Sequence, residues 1–211
     1  MPKLFIVSTP IGNLKDITLR ALDILREVDL VLAEDTRVAR KLLSHFGIHK
    51  PILRYLPKKD YRKFENIALV TDAGTPAISD PGTILVKDLT GAGFAVIPIP
   101  GPSALSTILS VSDIDCSNFT FLGFPPRKKG RKTFFEKLSK IETPIILFES
   151  PHRIQKTLKE LELTAGARYA NIGRELTKIH EEVFRGTLSE AQKHFVGEKQ
   201  RGEFVIILNN A

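Results

Sequence analysis

Cross-links, metal clusters and membrane spans are all poorly provided for in this 211-residue chain. Its one cysteine, Cys116, excludes an intramolecular disulfide and a multi-cysteine metal site. Such usage fits a reducing, cytoplasmic setting. Apolar runs such as Phe204–Leu208 fall far short of the roughly 20 residues that span a bilayer, so no membrane partner is expected. Met1-Pro2-Lys3-Leu4 leads straight into a strand pattern, with no apolar export signal before it. The histidines His45, His49, His152, His180 and His194 show no ligand spacing, and Gly47 interrupts the one pair set a helical turn apart. No metal is expected. Glycine-rich dinucleotide and nucleoside-triphosphate loops are missing as well, which argues against both chemistries. Cys116 has no histidine near it in sequence, so a cysteine nucleophile is not expected.

What is present is an ordinary globular composition, 42% hydrophobic and 26% charged. Lys and Arg total 31 against 24 Asp and Glu, a formal charge of +7 that suits a polyanionic partner and is also common in proteins without one. Strand-like runs alternate with helical ones: strands at 4–8, 30–33, 67–71 and 94–97, and helices after each. Ile17, Ala21, Leu22, Leu25 and Val28 recur at helical spacing behind Asp16, read as the N-cap. A second helix covers 38–45, with Gly47 placed to end it. A polar stretch at 111–118 breaks the pattern. Strands resume at 119–124, 144–148, 169–172, 182–185 and 204–208, with helices at 132–139, 151–161 and 188–195. Ser150 with Pro151 reads as a cap with proline at the first helical position, and Thr187 with Glu190 as a capping box. The fold class is therefore α/β in two α/β domains, 1–115 and 116–211, the first with a mainly parallel sheet.

Ligands of open α/β sheets bind beyond the carboxyl ends of the strands. Three loops of the first half belong there, at 9–13, 72–76 and 98–103, and each joins Gly to Pro directly after an apolar strand. Glycine lets backbone approach a ligand and proline stiffens the loop. Together they point to a small-molecule pocket; taken singly they are ordinary β-to-α turns. In the second half Arg127, Lys128, Lys129, Arg131 and Lys132 crowd behind Pro125-Pro126. This is either a solvated basic loop or a phosphate contact. Glu149-Ser150-Pro151-His152-Arg153 and Arg174-Glu175-Leu176-Thr177-Lys178 also follow apolar strands, read as a polar site or as caps and surface ion pairs.

In chain order, Ser8-Thr9-Pro10-Ile11-Gly12-Asn13-Leu14, Glu34-Asp35-Thr36-Arg37, Asp72-Ala73-Gly74-Thr75-Pro76, Ser79-Asp80-Pro81-Gly82 and Pro100-Gly101-Pro102-Ser103-Ala104 resemble the ribosomal RNA small subunit methyltransferase I family. The segments at Gly123, Glu149, Arg174 and Arg185-Gly186-Thr187-Leu188 extend the likeness over nearly the whole chain. That family lies in the tetrapyrrole methylase superfamily. The resemblance implies two α/β domains of that type with S-adenosylmethionine (SAM) in a cleft between them, a homodimer, and methylation of a cytidine ribose 2′-hydroxyl in 16S ribosomal RNA. Implied cofactor contacts are Pro10, Asp72, Ala73, Gly74, Thr75, Ile78, Ser103 and Ala104, joined by Phe121, Leu122, Glu175, Leu176 and Thr177. The partner is small-subunit ribosomal RNA or the assembled subunit. Between Leu53 and Ile67 the chain is shorter than the family pattern, which bears on substrate choice more than on the cofactor.

Methyl transfer to a ribose hydroxyl needs alignment with the donor and removal of a proton. Strand-end position and polarity single out Glu149 and Lys178, with Arg153 and Arg37 as charge partners, as the catalytic candidates. Two other readings stay open: a precorrin-type methylase of the same superfamily, and a non-catalytic RNA-binding factor.

Overall fold

Apolar runs of the first hundred residues pair in parallel as β1 (Lys3–Val7), β2 (Leu30–Ala33), β3 (Ile52–Arg54), β4 (Asn66–Val70) and β5 (Ala95–Ile99), in the order β3-β2-β4-β1-β5. The computed structural model describes residues 1–57, 59–79 and 82–210. A parallel sheet needs cover on both faces. Phe5, Val7, Val31, Ala33, Ala68 and Val70 meet α1 (Leu19–Glu27) and α2 (Thr36–His45) on one side. Leu4, Leu30, Leu32, Ile67 and Leu69 meet α3 (Thr83–Gly91) on the other. The short β3, unforeseen in the sequence, extends the edge beside β2. α1 starts later than expected: the Thr18 hydroxyl, 3.1 Å from the Ala21 amide, is its cap, while Asp16 ends a 3-10 turn. Thr18 lies directly before the first helical residue, where a cap must be.

The second sheet is mixed. Its strands are β6 (Thr120–Gly123), β7 (Ile145–Glu149), β8 (Tyr169–Arg174), β9 (Glu182–Thr187) and β10 (Phe204–Leu208), in the order β6-β7-β10-β8-β9. β6 and β7 run parallel, whereas β10 is antiparallel to β7 and β8, and β9 to β8. The β8–β9 link is too short for a crossover helix, which forces the antiparallel turn. α5 (Arg131–Leu138), α6 (Ile154–Ala165) and α7 (Leu188–His194) pack against one face. Thr187 and Glu190 form the expected capping box. α6 opens at Ile154 behind Arg153, and the Ser150 amide turns to the Glu149 carboxylate at 2.7 Å, so Ser150 is not a side-chain cap.

The chain divides into two compact units, Met1–Ser103 and Ala104–Ala211, so the break precedes the expected one at 115/116. α4 (Ala104–Ser110) and the polar stretch after it belong with the second sheet. Ile108 is fully buried there, and a Cβ on Gly173 would come within 2.9 Å of it. Asp113 anchors the polar stretch: it accepts from Asn171 at 2.8 Å and from Tyr169 at 3.0 Å, with Arg185 3.8 Å away.

The hydrogen bond from Asn171, aided by Tyr169 and the Arg185 charge and opposed by partial desolvation, holds the Asp113 carboxyl below its ordinary range. A depressed carboxylate stabilises the fold fully above its unfolded pKa of about 3.9 and ceases to as pH falls through the folded value. Thermal unfolding between about pH 5 and pH 2 should therefore show a shallower acid loss for Asp113→Asn than for the parent chain. Parallel curves would contradict this.

Candidate functional site

Two neighbouring strands of the first sheet send their chains in opposite directions. From β1 the chain crosses one face through α1 towards β2; from β4 it crosses the other through α3 to β5. Such a pair opens a crevice beyond its carboxyl ends. Here the loops after β1 and β4 are joined by reciprocal backbone bonds, Thr9 N–H to Gly74 O at 2.9 Å and Gly74 N–H to Thr9 O at 3.0 Å. Hydroxyls complete the join. Ser8 Oγ lies 2.9 Å from Thr75 Oγ1, and Thr9 Oγ1 donates to Thr71 O at 3.1 Å. The loop after β5 is tied in by Thr75 Oγ1, which donates to Pro102 O at 3.3 Å. Gly101 is the close approach: a Cβ there would meet Ser8 Cβ at 3.0 Å. Ser8, Thr9 and Thr71 are buried, yet Asp72 and Ala73 are exposed at the tip.

Asp72 faces the helix start after β2, where its carboxylate accepts from the Asp35 amide at 3.1 Å. Asp35 caps α2 and pairs with Arg37 at 2.6 Å; the Arg37 hydrogen bonds hold the Asp35 carboxyl well below the usual carboxylate range. Glu34 moves the other way, raised by desolvation and then by the Asp72 charge. Beyond Thr75 the backbone is left-handed at Ala77 and Ser79 (φ +68° and +65°), a conformation that costs energy without glycine.

In the second unit β10 begins where β7 and β8 end: Phe204 is in register with Glu149 and with Arg174. The turn after β8 is left-handed at Glu175 and Thr177 (φ +49° and +68°). Lys178 Nζ sits 2.8 Å from Glu175 Oε1 and 2.9 Å from Glu203 Oε2. Desolvation lowers the Lys178 pKa, but the two carboxylates outweigh it and the net shift is upward, so Lys178 is an ammonium. Gly202 is required beside this turn. Its φ is +103°, and a Cβ would lie 2.4 Å from Glu175 Cγ. Among the described residues Thr177 Oγ1 is buried without a hydrogen-bond partner, an uncommon and costly state that a ligand acceptor or donor would relieve. Among the described residues no group of three or more His, Cys, Asp or Glu could hold a metal ion, and no helix is long and apolar enough to cross a membrane.

A family model described as Tetrapyrrole (Corrin/Porphyrin) Methylases matches residues 3–192. The chain belongs to this family. This methylase is 45% identical, over 99% of both chains, to ribosomal RNA small subunit methyltransferase I of Thermotoga maritima. Its identity to the protein of that name from Bacillus subtilis is 42%, over 99% of this chain and 75% of the other. With relatives this similar it is a member of the ribosomal RNA small subunit methyltransferase I family and a methyltransferase. Solved structures similar to it include cobalt precorrin-4 methyltransferase (TM-score 0.68, 18% identity, 97% of this chain and 94% of that one). Diphthine synthase is another (TM-score 0.73, 15% identity, 98% and 89%). Both show a shared fold.

Within the methylase, Pro10, Asp72, Ala73, Gly74, Thr75 and Ser103 share the carboxyl edge of the first sheet, with Ile78 half-buried just beyond. Ala104 opens α4 in the second unit. Phe121 stacks edge-on with Phe148 at 5.0 Å, and Leu122 packs against the second core. Leu176 is buried between Glu175 and Thr177. Two expectations need correction. Glu149 is buried and already accepts from the Ser150 amide, Thr157 and Arg153 at 2.6–2.7 Å, so it lacks the exposure that a general base for an incoming hydroxyl needs. Arg131 is only 5% exposed and paired with Glu160 at 2.6 Å, so it is withdrawn from phosphate contact. Arg127, Lys128, Lys129 and Lys132 are exposed. Sequence reading missed the hydroxyls of Ser8, Thr9 and Thr71. The available signal was a hydroxyl residue directly after each of β1 and β4.

Gly202→Ala should destabilise the methylase by about 1–3 kcal/mol, through the clash and a left-handed residue. Gly47→Ala, with φ +63° and nothing among the described residues within 4 Å of the added carbon, isolates the backbone cost alone. Thermal unfolding should rank Gly202→Ala as the more damaging; the reverse order would contradict the contact with Glu175.

Proposed function

We propose that this methylase transfers a methyl group from SAM to the ribose 2′-hydroxyl of a cytidine in 16S ribosomal RNA, in the cytoplasm and as a homodimer. The near-full-length likeness to relatives named for small-subunit ribosomal RNA carries the substrate. The joined loops support the cofactor. Their polar roots bond to one another, so little ordering cost falls on ligand binding, and the exposed Asp72 tip offers an acceptor for amine or ribose hydroxyl donors. In the second unit the unpartnered Thr177 hydroxyl and its left-handed turn are a further fit to a polar ligand. When bound, SAM supplies a sulfonium methyl open to in-line displacement by oxygen. The chain's own part is to align and to balance charge. Lys178, kept as an ammonium, suits an oxygen gaining negative charge as its proton leaves. Arg127, Lys128, Lys129 and Lys132 offer exposed cations to phosphates.

Labelled SAM offered with small ribosomal subunits, or with a precorrin, tests the reading. Label in the RNA as a ribose-methylated cytidine supports it; label in the macrocycle, or no transfer with RNA bound, supports one of the other two. SAM at 100 times its Kd should stabilise the protein by about 2.7 kcal/mol. Asp72→Asn should weaken SAM about tenfold by calorimetry, as expected for a lost charge-assisted bond. Replacing Arg127, Lys128 and Lys129 by alanine should lower the slope of log affinity against log salt by about 2 for single-stranded RNA. An unchanged slope would remove this loop from the RNA contact.

A further inference from the structure

Of the two arginines beside the Phe124–Gly130 loop, Arg131 is buried and Arg153 half-buried. They hold its backbone. Arg153 Nη1 donates to Pro125 O at 2.8 Å and Arg131 Nη1 to Pro126 O at 2.9 Å. Between them runs a buried chain of bonds. Arg131 Nη2 donates to Thr157 Oγ1 at 2.7 Å, Thr157 Oγ1 donates to Glu149 Oε2 at 2.6 Å, and Glu149 Oε1 pairs with Arg153 at 2.7 Å. Glu160 takes the remaining edge of Arg131, and the Phe135 ring lies 5.1 Å beneath its guanidinium. Glu149 and Thr157 are 1% and 0% exposed.

Proline rings at 125 and 126 fix φ but leave ψ open. A guanidinium on each carbonyl sets the orientation of the peptide plane, and so ψ as well. The loop thus leaves the sheet along one path, and the residues that follow on it are Arg127, Lys128 and Lys129, all exposed. Of the cationic run, Arg131 is the member spent on holding the rest.

We propose that Glu149, Thr157, Arg131 and Arg153 form a positioning clasp that presets the basic loop for the phosphate backbone of the RNA. Glu149 is then a positioning residue, acting through two arginines on substrate affinity and not on the transfer step. This rests on the ribosomal RNA reading given above.

The clasp makes demands that a simple charge would not. Lysine at 131 keeps the charge but cannot reach Pro126 O, Thr157 and Glu160 at once, because it lacks the planar fork. Arg131→Lys should therefore behave like Arg131→Met.

The test uses the full chain and two readouts. With small ribosomal subunits and SAM, Glu149→Gln and Arg131→Lys should raise KM for the RNA substrate about tenfold, with kcat within twofold and SAM affinity unchanged by calorimetry. Thr157→Val, which removes one hydroxyl, is the milder variant should Glu149→Gln fail to fold, and it should raise KM about threefold. Without RNA, amide hydrogen exchange over residues 127–130 should quicken about tenfold in the same variants. A loss confined to kcat, an Arg131→Lys variant equal to the parent in KM, or unaltered exchange in folded variants each overturns the clasp. If the parent chain methylates no RNA, the functional reading fails, and exchange alone decides whether the clasp sets the loop.

Discussion

Two backbone hydrogen bonds between Thr9 and Gly74 carry the organisation of the first unit. Parallel pairing brings the ends of β4, β1 and β5 side by side, but it does not by itself order the loops that leave them. The reciprocal pair turns two loops into one short bridge, and Gly74 reaches it with φ +82°. Thr9 and Thr75 hydroxyls then donate to the Thr71 and Pro102 carbonyls, and the Ser8 hydroxyl bonds to that of Thr75. The result is a rigid floor with a carboxylate at its rim.

The second unit reaches comparable order by other means. Its strand ends are joined by charges: Lys178 between two carboxylates, and Glu149 between an arginine and a threonine that relays to a second arginine. Buried charge pairs give little net stability, since desolvation offsets their attraction, but they are strict about geometry. Neutral hydroxyls in one unit and ion pairs in the other thus do the same work of fixing loops.

Most of the fold was legible because core strands and amphipathic helices leave strong periodic signals. The run Ile17, Ala21, Leu22, Leu25 marked α1 correctly although its cap was misplaced, since Asp16 and Thr18 are both good capping residues and only backbone geometry chooses between them. β3 escaped notice because it is three residues long on a half-exposed edge. Strand direction in the second sheet is set by connection length, which a list of strands does not weigh. In the site, Gly and Pro marked the loops well, for they report backbone constraint directly. Charged residues were harder. Arg131 and Lys132 are adjacent and alike in sequence, yet one is buried in an ion pair and the other exposed, a difference decided by which side of α5 meets Thr157 and Glu160 on α6. Glu149 looked like a reactive acid for the same reason.

β10 is the last of the described strands in sequence order and the central strand of its sheet, flanked by β7 and β8. During synthesis the first unit has all five strands within residues 3–99 and can close as soon as they leave the ribosome, since domains fold as units from the N-terminal side. The second cannot. Until residues 204–208 emerge, β7 and the β8–β9 hairpin have no common neighbour, and their inward apolar faces wait for Phe204, Ile206 and Leu208. A nascent chain halted just short of that strand would hold one finished lobe and one open apolar sheet edge, the kind of surface that chaperones bind.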